Sequence, residues 1–182
     1  MRDKPAMQVM LSTRNTPAII DAVRMQQFDF GIVGREPPYD GVEILHHKTV
    51  PYVCLLPEGH RRATGDQPLD LYELCEGNNF ITFGSLYPDE MMGIDADLSK
   101  ALQSSSRITA ANMPMAAALV RTTEALAIVD PFTAALAVQT GGVRWRPLIQ
   151  NMTYHVAVIT RGLDTLSREA RILAQRFTDL LS

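Results

Sequence analysis

Cysteine is scarce in this 182-residue chain: Cys54 and Cys75 are the only two, and they share no metal-ligand spacing. A disulfide framework is therefore not expected; two buried free thiols are the expected state, with a redox pair as the alternative. No excess of basic charge exists either, with 17 Lys and Arg against 20 Asp and Glu and a formal net charge of −3. The arginines are scattered, so the chain shows no surface built to neutralise a nucleic-acid backbone. No apolar run approaches the ~18 residues of a membrane helix, and no repeat or low-complexity tract relieves the chain of building a core. The apolar stretch behind Met1-Arg2-Asp3-Lys4-Pro5 is short, is broken by Gln8 and lacks a small-residue cleavage site, so no secretion signal and a cytoplasmic location are expected. There is no phosphate-cradling glycine loop and no zinc-protease helix motif.

What remains is an ordinary globular composition, 46% hydrophobic and 20% charged, in which one large domain or two small lobes are both admissible. Strand and helix patterns alternate along it. Met7 to Leu11 is a short apolar run, and Thr16 can cap a helix beginning at Pro17 with Ile19, Ile20, Val23 and Phe28 on its core face. Asp29 to Gly34 reads as the next strand, giving a parallel crossover unit, and Arg35 to Gly41 as a rigid turn. Val42 to His46 and Val50 to Leu56 are strand-like, Pro57 to Pro68 is a polar loop, and a short helix runs through Leu71 and Leu74.

The same grammar then recurs. Phe80 to Phe83 is a strand, Pro88 to about Leu102 helical, and Arg107 to Ala111 a strand. Asn112 caps a helix over Pro114 to Thr122, Leu126 to Val129 is a buried strand, and Asp130-Pro131 opens a helix stopped by Gly141-Gly142. Strands over Val143 to Ile149 and Tyr154 to Thr160 precede a last amphipathic helix carrying Leu166, Ala170, Leu173, Ala174, Phe177, Leu180 and Leu181 at helical spacing. This alternation predicts an α/β fold with a largely parallel sheet.

Loops leaving the carboxyl ends of such strands line a crevice into which helix N-termini point unpaired N–H groups. Four polar junctions fit: Ser12 to Thr16, Gly84 to Tyr87, Asn112, and Asp130 to Thr133. Each reads either as a contact for a small anionic or zwitterionic molecule or simply as a helix cap. No catalytic constellation emerges. His46 and His47 are neighbours on a strand, so they face opposite sides and cannot share a metal, and His60 and His155 have no ligand partner nearby in sequence. Ser85 follows Gly84 without the second glycine of a nucleophile elbow. Asp89, Glu90, Asp95 and Asp97 read as a solvated helix face at a helix start. The expectation is a non-enzyme with no cofactor and no bound metal.

Three segments carry a resemblance. Ala6 to Gly34, ending in Phe28-Asp29-Phe30-Gly31-Ile32-Val33, resembles the early effector-domain segment of LysR-type transcriptional regulators. Tyr52-Val53-Cys54-Leu55-Leu56-Pro57-Glu58-Gly59-His60 resembles that family's strand ending in a proline and a glycine-histidine pair, with Leu69 to Leu74 as its following helix. Ala127 to Ala134 is similar to the strand-to-helix turn of the subgroup holding the lysine-biosynthesis (diaminopimelate-responsive) LysR protein and the opine-responsive nopaline and octopine regulators.

The resemblance implies a two-lobed, periplasmic-binding-protein-like α/β fold with mostly parallel sheets, lacking the family's first strand and helix. Lobe one would hold 1–54 plus 152–182 and lobe two 55–151, closing on a small-molecule effector. By the same analogy the effector contacts would be Thr13, Arg14, Arg35, Ser85, Asn112, Asp130 and Thr133. DNA would be reached only through an N-terminal winged helix-turn-helix that precedes this segment in relatives. The full-length protein would be a homo-oligomer, with no membrane partner. One departure concerns the family's two-glycine turn before the buried strand, replaced here by Thr122-Thr123-Glu124-Ala125; if the turn needs a positive φ, Thr123 suits it poorly.

Read from side-chain chemistry, such contacts ask for a carboxylate, with Arg14 and Arg35 offering charge-assisted bonds and Asp130 suiting an amine or guanidinium. An amino acid or opine-like effector is expected. The alternatives are a solute-binding protein of a transporter, which would need an export signal, and a small α/β enzyme, which would need a nucleophile beside a perturbed acid or base.

Overall fold

Asn15 starts the first helix: its side-chain oxygen accepts from the Ala18 N–H at 3.0 Å, so helix α1 is Thr16–Arg24 and the cap lies one residue before the expected Thr16. The computed structural model describes residues 8–83 and 93–181. After α1 come β1 (Phe30–Val33), β2 (Glu43–Pro51), β3 (Val53–Pro57), α2 (Leu71–Cys75), β4 (Phe80–Phe83), α3 (Ala96–Ser105), β5 (Ser106–Ala110) and α4 (Met113–Thr122). The chain continues through β6 (Leu126–Val129), α5 (Pro131–Thr140), β7 (Val143–Pro147), β8 (Thr153–Thr160), a 3-10 turn (Leu163–Thr165) and α6 (Arg168–Leu181).

Two compact units result, Met1–Thr49 with His155–Ser182, and Val50–Tyr154. In the first, a three-stranded sheet has the order β1-β8-β2, and β1 is antiparallel to β8 with Phe30 opposite Thr160 and Val33 opposite Ala157. Val23, Val33, Tyr39, Ala157 and Ile159 form its core, with Ile19, Ile20 and Phe28 of the α1 region packed against it. The apolar face of α6 covers a second patch, where Phe30 and Phe177 rings sit 5.8 Å apart. Residues 8–15 join no strand. The apolar run at Met7 to Leu11 therefore does not become the expected strand over its described part. Met10 and Leu11 are 78% and 82% exposed, without the burial that would fix an extended segment in a sheet.

In the second unit five strands run in the order β5-β4-β6-β3-β7. The sheet is mixed: β4 is parallel to β5 and β6, whereas β3 is antiparallel to β6 and β7. β6 is buried at all four positions and β3 at its first four, as continuous apolar strands of a covered sheet should be. Each buried Val, Leu or Ile among them contributes roughly 1.5–3 kcal/mol relative to an exposed position. Gly141 and Gly142 stop α5 with φ of 83° and 79°, a backbone that favours glycine.

The long loop after β3 is held by a buried cation. Arg146 of β7 is only 6% exposed, and its guanidinium donates to the carbonyls of Arg62 (2.8 Å), Thr64 (2.6 Å) and Gln67. Both cysteines are free, Cys54 buried in β3 and Cys75 half-buried at the end of α2. The turn at Thr122 to Ala125 uses no positive φ. Thr123 is extended (φ −129°), and its hydroxyl donates to the Leu119 carbonyl at 2.8 Å and accepts from the Ala125 N–H at 3.2 Å. A side-chain hydroxyl closes the turn without a left-handed residue.

Candidate functional site

Because β4 is parallel to both β5 and β6, the carboxyl ends of these three strands lie along one edge of the second unit's sheet. Val129 leads directly into Asp130, and Ala110 into the short connection that ends at Asn112. Proline follows within two residues of each cap, fixing φ where no amide donor is needed. The two helix starts abut, since the Asp130 N–H donates to the Met113 sulfur at 3.3 Å. Met115 and Phe132, 48% and 40% exposed, supply apolar surface in the first turns of α4 and α5.

Both caps are occupied by their own side chains. Asn112 accepts from the Met115 N–H at 2.9 Å. Asp130, 6% exposed, accepts from the Phe132 and Thr133 N–H groups at 2.9 Å each and from the Thr133 hydroxyl at 2.6 Å. Ala134 N–H reaches the Asp130 carbonyl at 3.0 Å, so the first-turn donors of α5 are committed within the chain. Asn112, Asp130 and Thr133 are thus brought together at one sheet edge, and each already serves as a helix cap or its partner. Ser85 lies outside the described residues.

The first unit holds the other three positions. Thr13 and Arg14 are exposed ahead of α1, and the Arg14 guanidinium carbon stands 5.2 Å above the Phe28 ring. Arg35 is exposed just past β1, and its carbonyl accepts from the Tyr39 hydroxyl. The acidic cluster follows the helix-start reading where it is described. Asp95 caps α3 through the Leu98 N–H at 2.8 Å, and this bond, with a second from the Tyr72 hydroxyl, holds its carboxyl below the usual range.

Two features escape sequence reasoning. A cavity of about 420 Å³ runs along β1 and α6, lined among others by Leu11, Phe28, Phe30, Ile32, Leu173 and Phe177. Ser12, at the start of the expected Ser12 to Thr16 junction, is in its lining, whereas Thr13, Arg14, Arg35, Asn112, Asp130 and Thr133 are not. The second is a pair of histidines: His47 Nε2 lies 3.2 Å from His155 Nδ1, although 108 residues separate them. Contacts of that sequence separation leave no local pattern to read. Among the described residues no helix is long and apolar enough to cross a membrane.

Comparison with solved structures bears on this architecture. The chain is similar to the effector binding domain of QuiR in complex with shikimate (15% identity, 92% of this chain and 79% of that one, TM-score 0.67). It is also similar to the regulatory domain of CcmR from Synechocystis PCC6803 in complex with 2-PG (13% identity, 100% and 86%, TM-score 0.66). HinK, a LysR family transcriptional regulator from Pseudomonas aeruginosa, matches at 14% identity and TM-score 0.62, and the chain spans 62% of its length. No protein of curated function matches the chain. At these identities the likeness establishes the two-lobe, periplasmic-binding-protein-like α/β fold. The LysR substrate binding domain family, whose members are effector domains of transcriptional regulators and not enzymes, matches residues 1–182, and the chain belongs to it.

Proposed function

We propose that this chain is the effector-sensing part of a LysR-type transcriptional regulator and that its effector is a small carboxylate-bearing metabolite, an amino acid or an opine-like conjugate. The subgroup of the lysine-biosynthesis and nopaline and octopine regulators, suggested by Ala127 to Ala134, is part of this proposal. The carrying observation is the family match over the whole chain, joined to a sheet edge where parallel strands deliver Asn112, Asp130 and Thr133 together. Thr13, Arg14, Arg35 and Ser85 are proposed as further effector contacts, the arginines because a guanidinium meets a carboxylate with paired donors. Binding would shift the populations of regulator states, and a DNA-binding domain in a homo-oligomeric full-length protein would report the shift.

Thermal unfolding with lysine, arginine, ornithine, diaminopimelate, opines and shikimate tests the ligand class. A true effector at about 100 times its Kd adds about 2.7 kcal/mol, which for a chain of this size raises Tm by roughly 5–10 °C. Arg14→Ala and Arg35→Ala should each reduce that shift, measured against the variant's own ligand-free Tm. No shift with any carboxylate removes the ligand class; an undiminished shift in both variants removes the arginines from the site.

A further inference from the structure

We propose that His47 and His155 form a two-imidazole site for a divalent first-row transition metal of the copper, nickel or zinc group. His47 projects from β2 and His155 from β8, neighbouring strands of the first unit's sheet. Their facing nitrogens, Nε2 and Nδ1, are 3.2 Å apart, and the rings are parallel within 6° at a centroid distance of 5.4 Å. With metal–nitrogen bonds of about 2.0–2.1 Å, a 3.2 Å separation corresponds to an N–metal–N angle of roughly 100–105°, between square-planar and tetrahedral values.

In the metal-free pair one ring nitrogen must donate and the other accept. Each neutral imidazole has a second nitrogen that can carry its proton, so both facing lone pairs become available once the protons sit on His47 Nδ1 and His155 Nε2. His47 is exposed and His155 half-buried, and the soft terminal torsion of histidine lets the rings turn toward a common ion. Thr49 Oγ1 lies 3.3 Å from the same His155 nitrogen, within reach of a water on that ion. Among the described residues no group of three or more His, Cys, Asp or Glu is placed to hold a metal, so water would complete the coordination. Imidazole selects copper, nickel and zinc over magnesium and calcium.

The position gives such an ion a structural consequence. The chain leaves the first unit after Thr49 and re-enters it at His155, so an ion bridging His47 and His155 would tie the departing strand to the returning one. It would stabilise the native state by mass action.

Copper(II) and zinc(II) chlorides added to the full chain are the probes. One equivalent of copper should give an electron paramagnetic resonance spectrum with two coordinated nitrogens, and zinc should raise Tm reversibly to EDTA. His47→Ala and His155→Ala should each reduce the spectrum to at most one nitrogen. Each should weaken binding by at least about tenfold, the lower end of what loss of even an outer-shell partner costs. His47→Asn and His155→Asn repeat the test with polar side chains in case an alanine variant unfolds. His46→Ala and His60→Ala should leave the spectrum unchanged. No copper binding, or a two-nitrogen spectrum that survives in the His47 and His155 variants, would overturn the proposal.

Discussion

The Thr133 hydroxyl donates to the buried Asp130 carboxylate at 2.6 Å, and the Thr133 N–H donates to the other oxygen of the same group at 2.9 Å. One carboxylate therefore meets the donors of the first turn of α5. Asp130→Ala removes a cap and leaves those donors without their protein partner at a part-buried helix start, which costs about 1–2 kcal/mol. Asp130→Asn keeps an acceptor oxygen and should cost less. Urea unfolding with an unchanged m-value reads the difference; equal stability of the alanine variant and the parent would show that the cap carries nothing.

Gly31 in β1 marks a close approach of α1. A methyl group built on it would lie 2.5 Å from Ile19 Cγ2 and 3.2 Å from Val23 Cγ2. Gly31→Ala should lower stability by about 1–3 kcal/mol through overpacking. Ile19→Ala opens the space, so the double variant should lose less than the sum of the two single losses. Strict additivity would place the strain elsewhere.

High pH should destabilise the chain through two buried acids. Burial pushes the Tyr39 phenol from 10.0 to about 12, against the opposing pull of Arg35, and pushes the Cys54 thiol from 9.0 to about 12. Both are raised in the folded state, so the unfolded chain gives up these protons first. The stability they contribute is complete below about pH 9 and is lost as pH rises toward 12. Tm measured from pH 8 to 11.5 should fall above pH 9, and Tyr39→Phe should make the fall shallower above pH 10. A flat profile in the parent would show that these groups do not resist ionisation in the fold.

The local order was legible for physical reasons that can be named residue by residue. Asn112 and Asp130 cap the helices expected of them, Gly141-Gly142 stops α5, and β6 covers the expected Leu126 to Val129. Caps, left-handed glycines and buried apolar runs each act within a few residues, so the sequence displays them directly. The apolar run at Met7 to Leu11 shows the limit: over its described residues it has the composition of a strand but no place in a sheet. At Thr123 a hydroxyl closes the turn and no positive φ is needed, an arrangement that is seen only once the positions of the Leu119 carbonyl and the Ala125 N–H are known.

Residue type and short spacing by themselves determined the caps at Asn112 and Asp130, the stop at Gly141-Gly142 and the buried strand Leu126–Val129, whereas the first cap fell at Asn15 and the helix expected from Pro88 begins, where it is described, at Ala96. Tertiary structure alone decided which pairs run antiparallel, that Arg146 gathers the carbonyls of Arg62, Thr64 and Gln67 about eighty residues away, and that His47 meets His155. Those relationships depend on how distant segments pair and pack, and the free energy that selects one pairing belongs to the whole sheet, so no local stretch of sequence records it.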